Sequence, residues 1–346
     1  MALLWHDGFN LQDADDVKLF YDSLAGGVNC GNTQPRTGQS YFRAFASGTV
    51  DIRKNISPGS TTLIIGFGFR IDSGSSATET TIFEVGESAI THLTLRLVSS
   101  TGLIRLYDGA GSMLAEGATV FPIGQGANDW RFVELKVTLA DSGSYELKIE
   151  NAVEFSGSAD LNNGGTGVAT YVAMRNTNGS VFAAWDDLYV LDNTGSDLND
   201  YLTSSFKIES LFVTAAGDLA QWTPSAGSNY QNVDENTASG HDGDTTYNSA
   251  GSTGLIDAHN CADLTGSPST ILAVCGGMIA RNDDVGSSAV KIGVRSSGVA
   301  STETERTLQP AYDGYHGDYQ KLDPNTGSAW ALSAVNAAQV QYERTT

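Results

Sequence analysis

Between Val133 and Ile149 apolar side chains fall on every second position. Val133, Leu135, Val137 and Leu139 alternate with Glu134, Lys136 and Thr138; after Asp141-Ser142-Gly143-Ser144, Tyr145, Leu147 and Ile149 alternate with Glu146, Lys148 and Glu150. A period of two is the signature of extended chain, so this stretch is a hairpin with one apolar and one wet face. Opposed Lys and Glu on the wet face would form cross-strand pairs worth only about 0.2–1 kcal/mol each. Leu93, Leu95 and Leu97 repeat the alternation, and Leu103-Ile104-Arg105-Leu106-Tyr107 runs into the turn Asp108-Gly109-Ala110-Gly111. Leu63 to Ile71 is denser in apolar residues, as expected of a central strand covered on both faces, and its glycines point to a bulge or a close backbone approach. No window in this half carries a helical stripe with caps. The half is all-β.

Phe182 to Asp192 has large apolar groups on both faces and is closed by the turn-formers Asn193, Thr194, Gly195 and Ser196. In a β-sandwich such a strand returns to pair beside the first, here Trp5 to Phe9. That pairing closes a domain near residue 192. The boundaries are therefore 1–193 for a first antiparallel sandwich, 194–203 for a polar, acidic linker, and 204–346 for a second sandwich. Phe206 to Val213 reads as a strand, and Ala215 to Ser252 as a long Gly/Ser/Asn/Asp/Thr loop packed by Trp222, Tyr230 and Tyr247 or clamped by a neighbouring subunit. Strands resume at 255–262, 270–281, 289–295, 304–308, 315–322 and 337–343, with room for one helical turn in 330–338. Heptads and short repeats are absent, which disfavours a fibrous shaft.

Asp7-Gly8-Phe9 at one end and Trp185-Asp186-Asp187-Leu188-Tyr189-Val190 at the other resemble the bracket of the laminin-G-like, concanavalin-A-like jelly rolls of tailed-bacteriophage virion proteins. Gln221-Trp222-Thr223-Pro224, Asn232-Val233-Asp234-Glu235, Asp244-Thr245-Thr246-Tyr247 and Asp323 to Trp330 are similar to blocks that follow such a jelly roll. The resemblance implies a structural protein of the virion surface, a capsid decoration or a tail appendage. It would dock on other virion proteins and on sister copies as a homo-oligomer, without catalysis.

Nineteen Lys plus Arg against 40 Asp plus Glu give a formal net charge of −21, which opposes contact with nucleic acid or anionic lipid. Cys30, Cys261 and Cys275 are too few and scattered for a disulfide framework and read as free thiols, with Cys275 a small buried hydrophobe. Met-Ala-Leu-Leu-Trp-His-Asp lacks the basic and apolar segments of a signal peptide, and no apolar run approaches the ~20 residues of a membrane span. Synthesis in a host cytoplasm without export is expected.

Chemistry finds little to stand on. A retaining glycosidase needs two carboxylates about 5–5.5 Å apart, but Glu134 is followed on its face by Lys136, and Glu146 by Lys148. Glu84 and Glu87 point to opposite faces of a strand. There is no Gly-x-Ser-x-Gly elbow, and His6, His92, His241, His259 and His316 form no metal-binding pair. The chain is read as no enzyme, with a polysaccharide-degrading activity the third choice. Calcium is the one cofactor with candidate ligands: Asp186 and Asp187 at the edge of the first sandwich, and Asp242 and Asp244 beside Asp234 and Glu235 in the long loop. Turn capping by those aspartates is the favoured reading. Trp222, Tyr230, Tyr312, Tyr315 and Tyr319 mix aromatic rings with polar neighbours, as a sugar site or a subunit contact does. A lectin-type, carbohydrate-binding adhesion module of a tail fibre is accordingly the second choice.

Overall fold

The strand Thr62–Ser73 is buried at every position but its last. It lies between Arg131–Thr138 and Phe182–Asp192 in the middle of an eight-stranded antiparallel sheet. The computed structural model that shows this describes residues 2–11, 14–44, 49–74, 78–236 and 240–346. Two units are distinguished in it, Met1–Glu209 and Ser210–Thr346.

In the first unit the eight-stranded sheet runs in the order Ala152–Ala159, Gly143–Ile149, Arg131–Thr138, Thr62–Ser73, Phe182–Asp192, Tyr41–Ala44, Val28–Gly31. Leu3–Asp7 also pairs with Phe182–Asp192, with Trp5 opposite Val190, so the first and last strands meet as the sequence predicts. A seven-stranded sheet faces it, in the order Met113–Glu116, Leu103–Asp108, Ile90–Val98, Thr80–Glu87, Ala169–Asn176, Val50–Ser60, Ser23–Ala25. This is a jelly-roll β-sandwich. Its core is one cluster in which Ile65, Phe67 and Phe69 of the first sheet meet Phe83, Val85, Leu95 and Met174 of the second. Phe67 and Phe83 stack with ring centroids 5.0 Å apart. Each such buried side chain contributes about 1.5–3 kcal/mol.

The hairpin Arg131–Ile149 forms, with Glu134 opposite Lys148, but its second face is wet only in part: the side chains of Lys136 and Glu146 are 38 % and 36 % exposed, and that of Glu134 is covered. Glu134 is 1 % exposed; it accepts hydrogen bonds from the Tyr189 hydroxyl (2.6 Å) and from Thr203 N (2.9 Å). The cover is the segment that follows the last strand, where Leu198, Tyr201, Leu202 and Phe206 pack on Ile64, Phe132, Tyr189 and Leu191. Residues 206–212 are accordingly no strand, and Val213 opens the next one: Phe206 meets Tyr189 edge-on at 5.2 Å and Ile208 N is taken by Asp187. Three short helical turns, Ala14–Val17, Lys18–Phe20 and Ala127–Asp129, interrupt the otherwise all-β unit among its described residues.

The second unit is antiparallel β as well. A six-stranded sheet runs Val213–Ala220, Ile256–Cys261, Gln339–Arg344, Ala289–Ser296, Val299–Ala300, with Arg306–Thr307 paired to Ala289–Ser296. Two-stranded ribbons, Thr223–Pro224 with Asn248–Ser249 and Gly277–Ala280 with Asp313–His316, accompany it. The strands expected over 270–281 and 315–322 shrink to these ribbons, and the expected long loop begins as a strand. Val290, Ile292 and Val294 alternate along one face and pack under Trp222, Tyr315, Trp330 and Val335. The helical turn appears at Leu332–Asn336. Cys30 is buried and Cys261 and Cys275 partly so, and none of the three is in a disulfide.

Candidate functional site on the outward face of the seven-stranded sheet

Alternation sends every second residue of the seven-stranded sheet away from the core, and on neighbouring strands those residues line up. Arg53, Ala173, Glu84, Thr94, Tyr107 and Met113 occupy six consecutive strands, each the register partner of the next. Beside them Asp51 pairs with Arg175, Arg96 with Arg105, and Arg105 with Glu116. Four of the chain's twelve arginines thus share one face.

Two bonded clusters organise it. Arg175 reaches Asp51 (2.5 Å) and Glu84, and the Tyr171 hydroxyl donates to Glu84 (2.7 Å). The Arg53 guanidinium lies 3.5 Å above the Tyr171 ring. In the second cluster Arg105 bonds Glu79 and Glu116, Arg96 lies 3.7 Å from Glu79, and the Tyr107 hydroxyl donates to Glu79 (2.6 Å). Arg96 roofs Tyr107 at 3.9 Å. Each cluster is a phenol ring capped by a guanidinium and tied to a carboxylate, an arrangement in which stacking and charge-assisted hydrogen bonds reinforce one another. The side chains of Arg96, Arg105 and Arg175 remain 29 %, 30 % and 30 % exposed, open to a ligand from solvent.

Protonation states follow from these contacts. Burial first, then the bond to Glu84, pushes Tyr171 up to about 12, and burial with Glu79 raises Tyr107. Burial opposes the charge on Glu79, but hydrogen bonds from Tyr107 and Arg105 outweigh it and hold this carboxyl below its ordinary value. The phenols are therefore fixed donors and Glu79 a fixed acceptor across neutral pH.

No protein-family model matches the chain, and no curated protein does. Solved structures give partial likenesses. An endo-β-1,4-glucuronan lyase from the fungus Trichoderma reesei is 11 % identical with a TM-score of 0.39, over 55 % of this chain and 95 % of that one. A galectin-like protein of unknown function from Bacillus subtilis is 13 % identical at 0.39, over 55 % and 96 %. A carbohydrate-binding module from Bacillus subtilis is 12 % identical at 0.32, over 48 % and 96 %.

The residues singled out in the sequence lie elsewhere. Asp186 and Asp187 are both fully buried. Asp187 has φ +51° at the break in register beyond Asp186, a left-handed corner that aspartate tolerates. Asp186 accepts from Arg36 N (2.8 Å) and Thr37 N (3.1 Å), while Asp187 accepts from the Arg36 guanidinium, Thr37 Oγ1 (2.8 Å) and Ile208 N (2.7 Å). Burial raises both carboxyls, Asp186 further because Asp187 is adjacent. Their oxygens are spent on protein donors and fit a calcium ion poorly. In the second unit Asp242 caps Thr246 (2.8 Å to Oγ1), and Asp244 is shared by Arg281 and the Tyr312 hydroxyl, both at 2.9 Å. Among the described residues no group of three or more His, Cys, Asp or Glu gathers as metal ligands do.

Of the aromatic candidates, Tyr312 stacks edge-on with His241 (4.5 Å) and under Arg281. Trp222 is edge-on to Tyr342 at 5.0 Å and donates to Leu255 O (3.0 Å), and the buried Tyr315 accepts from Gln309 N (2.8 Å). Tyr230 and Tyr319 are half-buried. Trp222 and Tyr315 therefore read as packing groups. A polar cleft of about 250 Å³ also opens beside Lys291, Gly293 and Glu343, but its Glu303 is already engaged by Ser301, Asp318 N and Gln320.

Sequence reasoning missed Arg53, Arg96, Arg105, Arg175, Tyr107 and Tyr171. Their signal was present as same-parity polar positions, Asp51/Arg53 and Thr94/Arg96 among them. It needed the strand order, in which Ala169–Asn176 inserts between Val50–Ser60 and Thr80–Glu87.

Proposed function

We propose that this chain is a non-catalytic carbohydrate-binding module of lectin type, with its ligand on the outward face of the seven-stranded sheet. The observation that carries this reading is a pair of guanidinium groups, Arg53 and Arg96, each laid over a buried tyrosine, Tyr171 and Tyr107, that is tied to a carboxylate. Planar groups cover the apolar faces of sugars, and fixed donors and acceptors at their edges meet hydroxyls. The test is a glycan array probed with the full chain and with Arg53→Ala/Arg96→Ala. Loss of binding by a variant with unchanged circular dichroism is expected; new reducing ends or unsaturated products would overturn the non-catalytic reading.

A second reading, display on a tailed-phage virion, is supported by the resemblance of Asp7-Gly8-Phe9, Trp185 to Val190 and Asp323 to Trp330 to virion jelly rolls. In it the chain docks on capsid or tail proteins and on its own copies, as a decoration or as the adhesive part of a tail appendage. Antibody labelling of intact particles decides it: label on neither head nor tail sinks the reading.

A further inference from the structure

The charge and spacing of this same face narrow the ligand, an inference that rests on the glycan-binding reading above. Arg53, Arg96, Arg105 and Arg175 supply four positive charges, and Asp51, Glu79, Glu84 and Glu116 four negative ones, so the face sums to zero. The negative groups are already placed: Arg175 lies between Asp51 and Glu84, and Arg105 between Glu79 and Glu116. A polyanion would have to pull these pairs apart, and would approach a chain whose formal net charge is −21. A sugar hydroxyl both donates and accepts, so it can bond a guanidinium and its carboxylate together without separating them.

Geometry adds a direction. The row Arg53, Ala173, Glu84, Thr94, Tyr107, Met113 crosses six strands at right angles to the chain. Neighbouring strands lie about 4.8 Å apart, so the row extends roughly 24 Å. One pyranose unit advances a glycan by about the distance between strands, so successive rings meet successive strands; Ala173, Glu84, Thr94 and Tyr107 are themselves buried, and the contacts fall to the partly exposed arginines. The capped tyrosines sit in different strands, Tyr171 in Ala169–Asn176 and Tyr107 in Leu103–Asp108. We infer that the ligand is a neutral polysaccharide lying across the strands, bound over about five sugar units.

The test is calorimetric titration of the full chain at low salt with neutral β-gluco-, β-manno- and fructo-oligosaccharides of two to six units, and with oligo-alginate and oligo-glucuronate. Affinity for one neutral series should climb at least tenfold from dimer to pentamer and then level off, with the uronates giving no heat. Arg53→Ala should lower pentamer affinity about tenfold, while Arg295→Ala in the second unit should not. Salt-sensitive uronate binding overturns the neutral ligand and leaves glycan binding standing. A dimer bound as tightly as the pentamer overturns the crosswise path. Silence across both classes overturns this inference and the glycan-binding reading together. The length series needs no variant, so a misfolded Arg53→Ala does not blunt it.

Discussion

Tyr171 lies flat across Gly86, the residue directly opposite it on the neighbouring strand; a Cβ on Gly86 would overlap the ring. The same relation joins Tyr189 to Gly66, Tyr41 to Gly31 and Tyr145 to Gly157, each pair in cross-strand register. A bare backbone opposite a large ring lets the ring cover the glycine's peptide groups and restores the contact a missing side chain forfeits.

Substituting these glycines should therefore cost stability by overpacking, about 1–3 kcal/mol each. Gly66→Ala should cost more than Gly86→Ala, because Tyr189 is fully buried beneath Phe206 and cannot swing away. Urea denaturation of the two variants checks the order. Equal, negligible losses would mean that the rings move aside freely. Gly86→Ala should in addition weaken glycan binding, since it displaces the Tyr171 ring that supports Arg53.

Arginine removal should cost very different amounts in two places. Arg36→Ala strands the fully buried Asp187, and breaking such a pair typically costs about 3–5 kcal/mol. Arg105→Ala breaks partly exposed pairs and should cost less than about 1 kcal/mol. Thermal melts separate the two; comparable shifts would contradict the assigned burial.

Asp7 gives a pH dependence of defined sign. Burial pushes its carboxyl up from the ordinary value of 3.8 to about 6, against hydrogen bonds from Phe9 N and the Tyr21 hydroxyl. The folded state then holds the proton more tightly than the unfolded one, so this group favours folding most below pH 4, and that contribution is lost as pH rises through 6. Asp7→Asn should raise stability at pH 7.5 by about 1 kcal/mol and flatten the slope between pH 4 and 6. A variant whose slope matches the parent's would exclude Asp7 as its source.

Asp257 tethers the polar stretch of the second unit. Its carboxylate accepts from Gln221 N (2.6 Å), Trp222 N (2.8 Å) and Asn229 Nδ2 (2.8 Å), and Asn229 lies in the short helical turn Asn229–Asn232. Asp257→Ala should leave Trp222 N without its acceptor, while Gln221 N keeps Ile256 O and Asn229 Nδ2 keeps Trp222 O; the loss should cost about 1 kcal/mol and speed amide exchange at Trp222. Unchanged exchange there would sink the tether.

Chelation offers a separate check. Asp186, Asp187, Asp242 and Asp244 are all bonded to protein donors, so EDTA should leave the melting temperature and glycan binding unchanged. A fall restored by added calcium would overturn that assignment.

The sandwich was legible in the sequence because period-two alternation survives wherever one face is buried: Val133 to Ile149 and Leu93 to Tyr107 are found in the hairpins expected. The closing pair was legible from the apolar run at Phe182–Asp192 and the turn-formers after it, although the first strand is Leu3–Asp7 and not the expected Trp5 to Phe9. What was hidden depends on contacts distant in sequence. Glu134 looks solvated until the covering segment at Tyr201 to Phe206 is known. Arg175 and Glu84 look unrelated until strands from opposite ends of the unit are set side by side. The aspartate pair at 186–187 was visible as chemistry, but its partner Arg36 lies 150 residues away.

The roof of Leu198, Tyr201, Leu202 and Phe206 also sets where the amino-terminal half may be cut. A fragment ending at Asp192 would bare Ile64, Phe132, Tyr189 and Leu191 to water, an oily window in an otherwise acidic body that would invite clumping or chaperone capture. Anyone isolating that half must carry the polypeptide through Glu209.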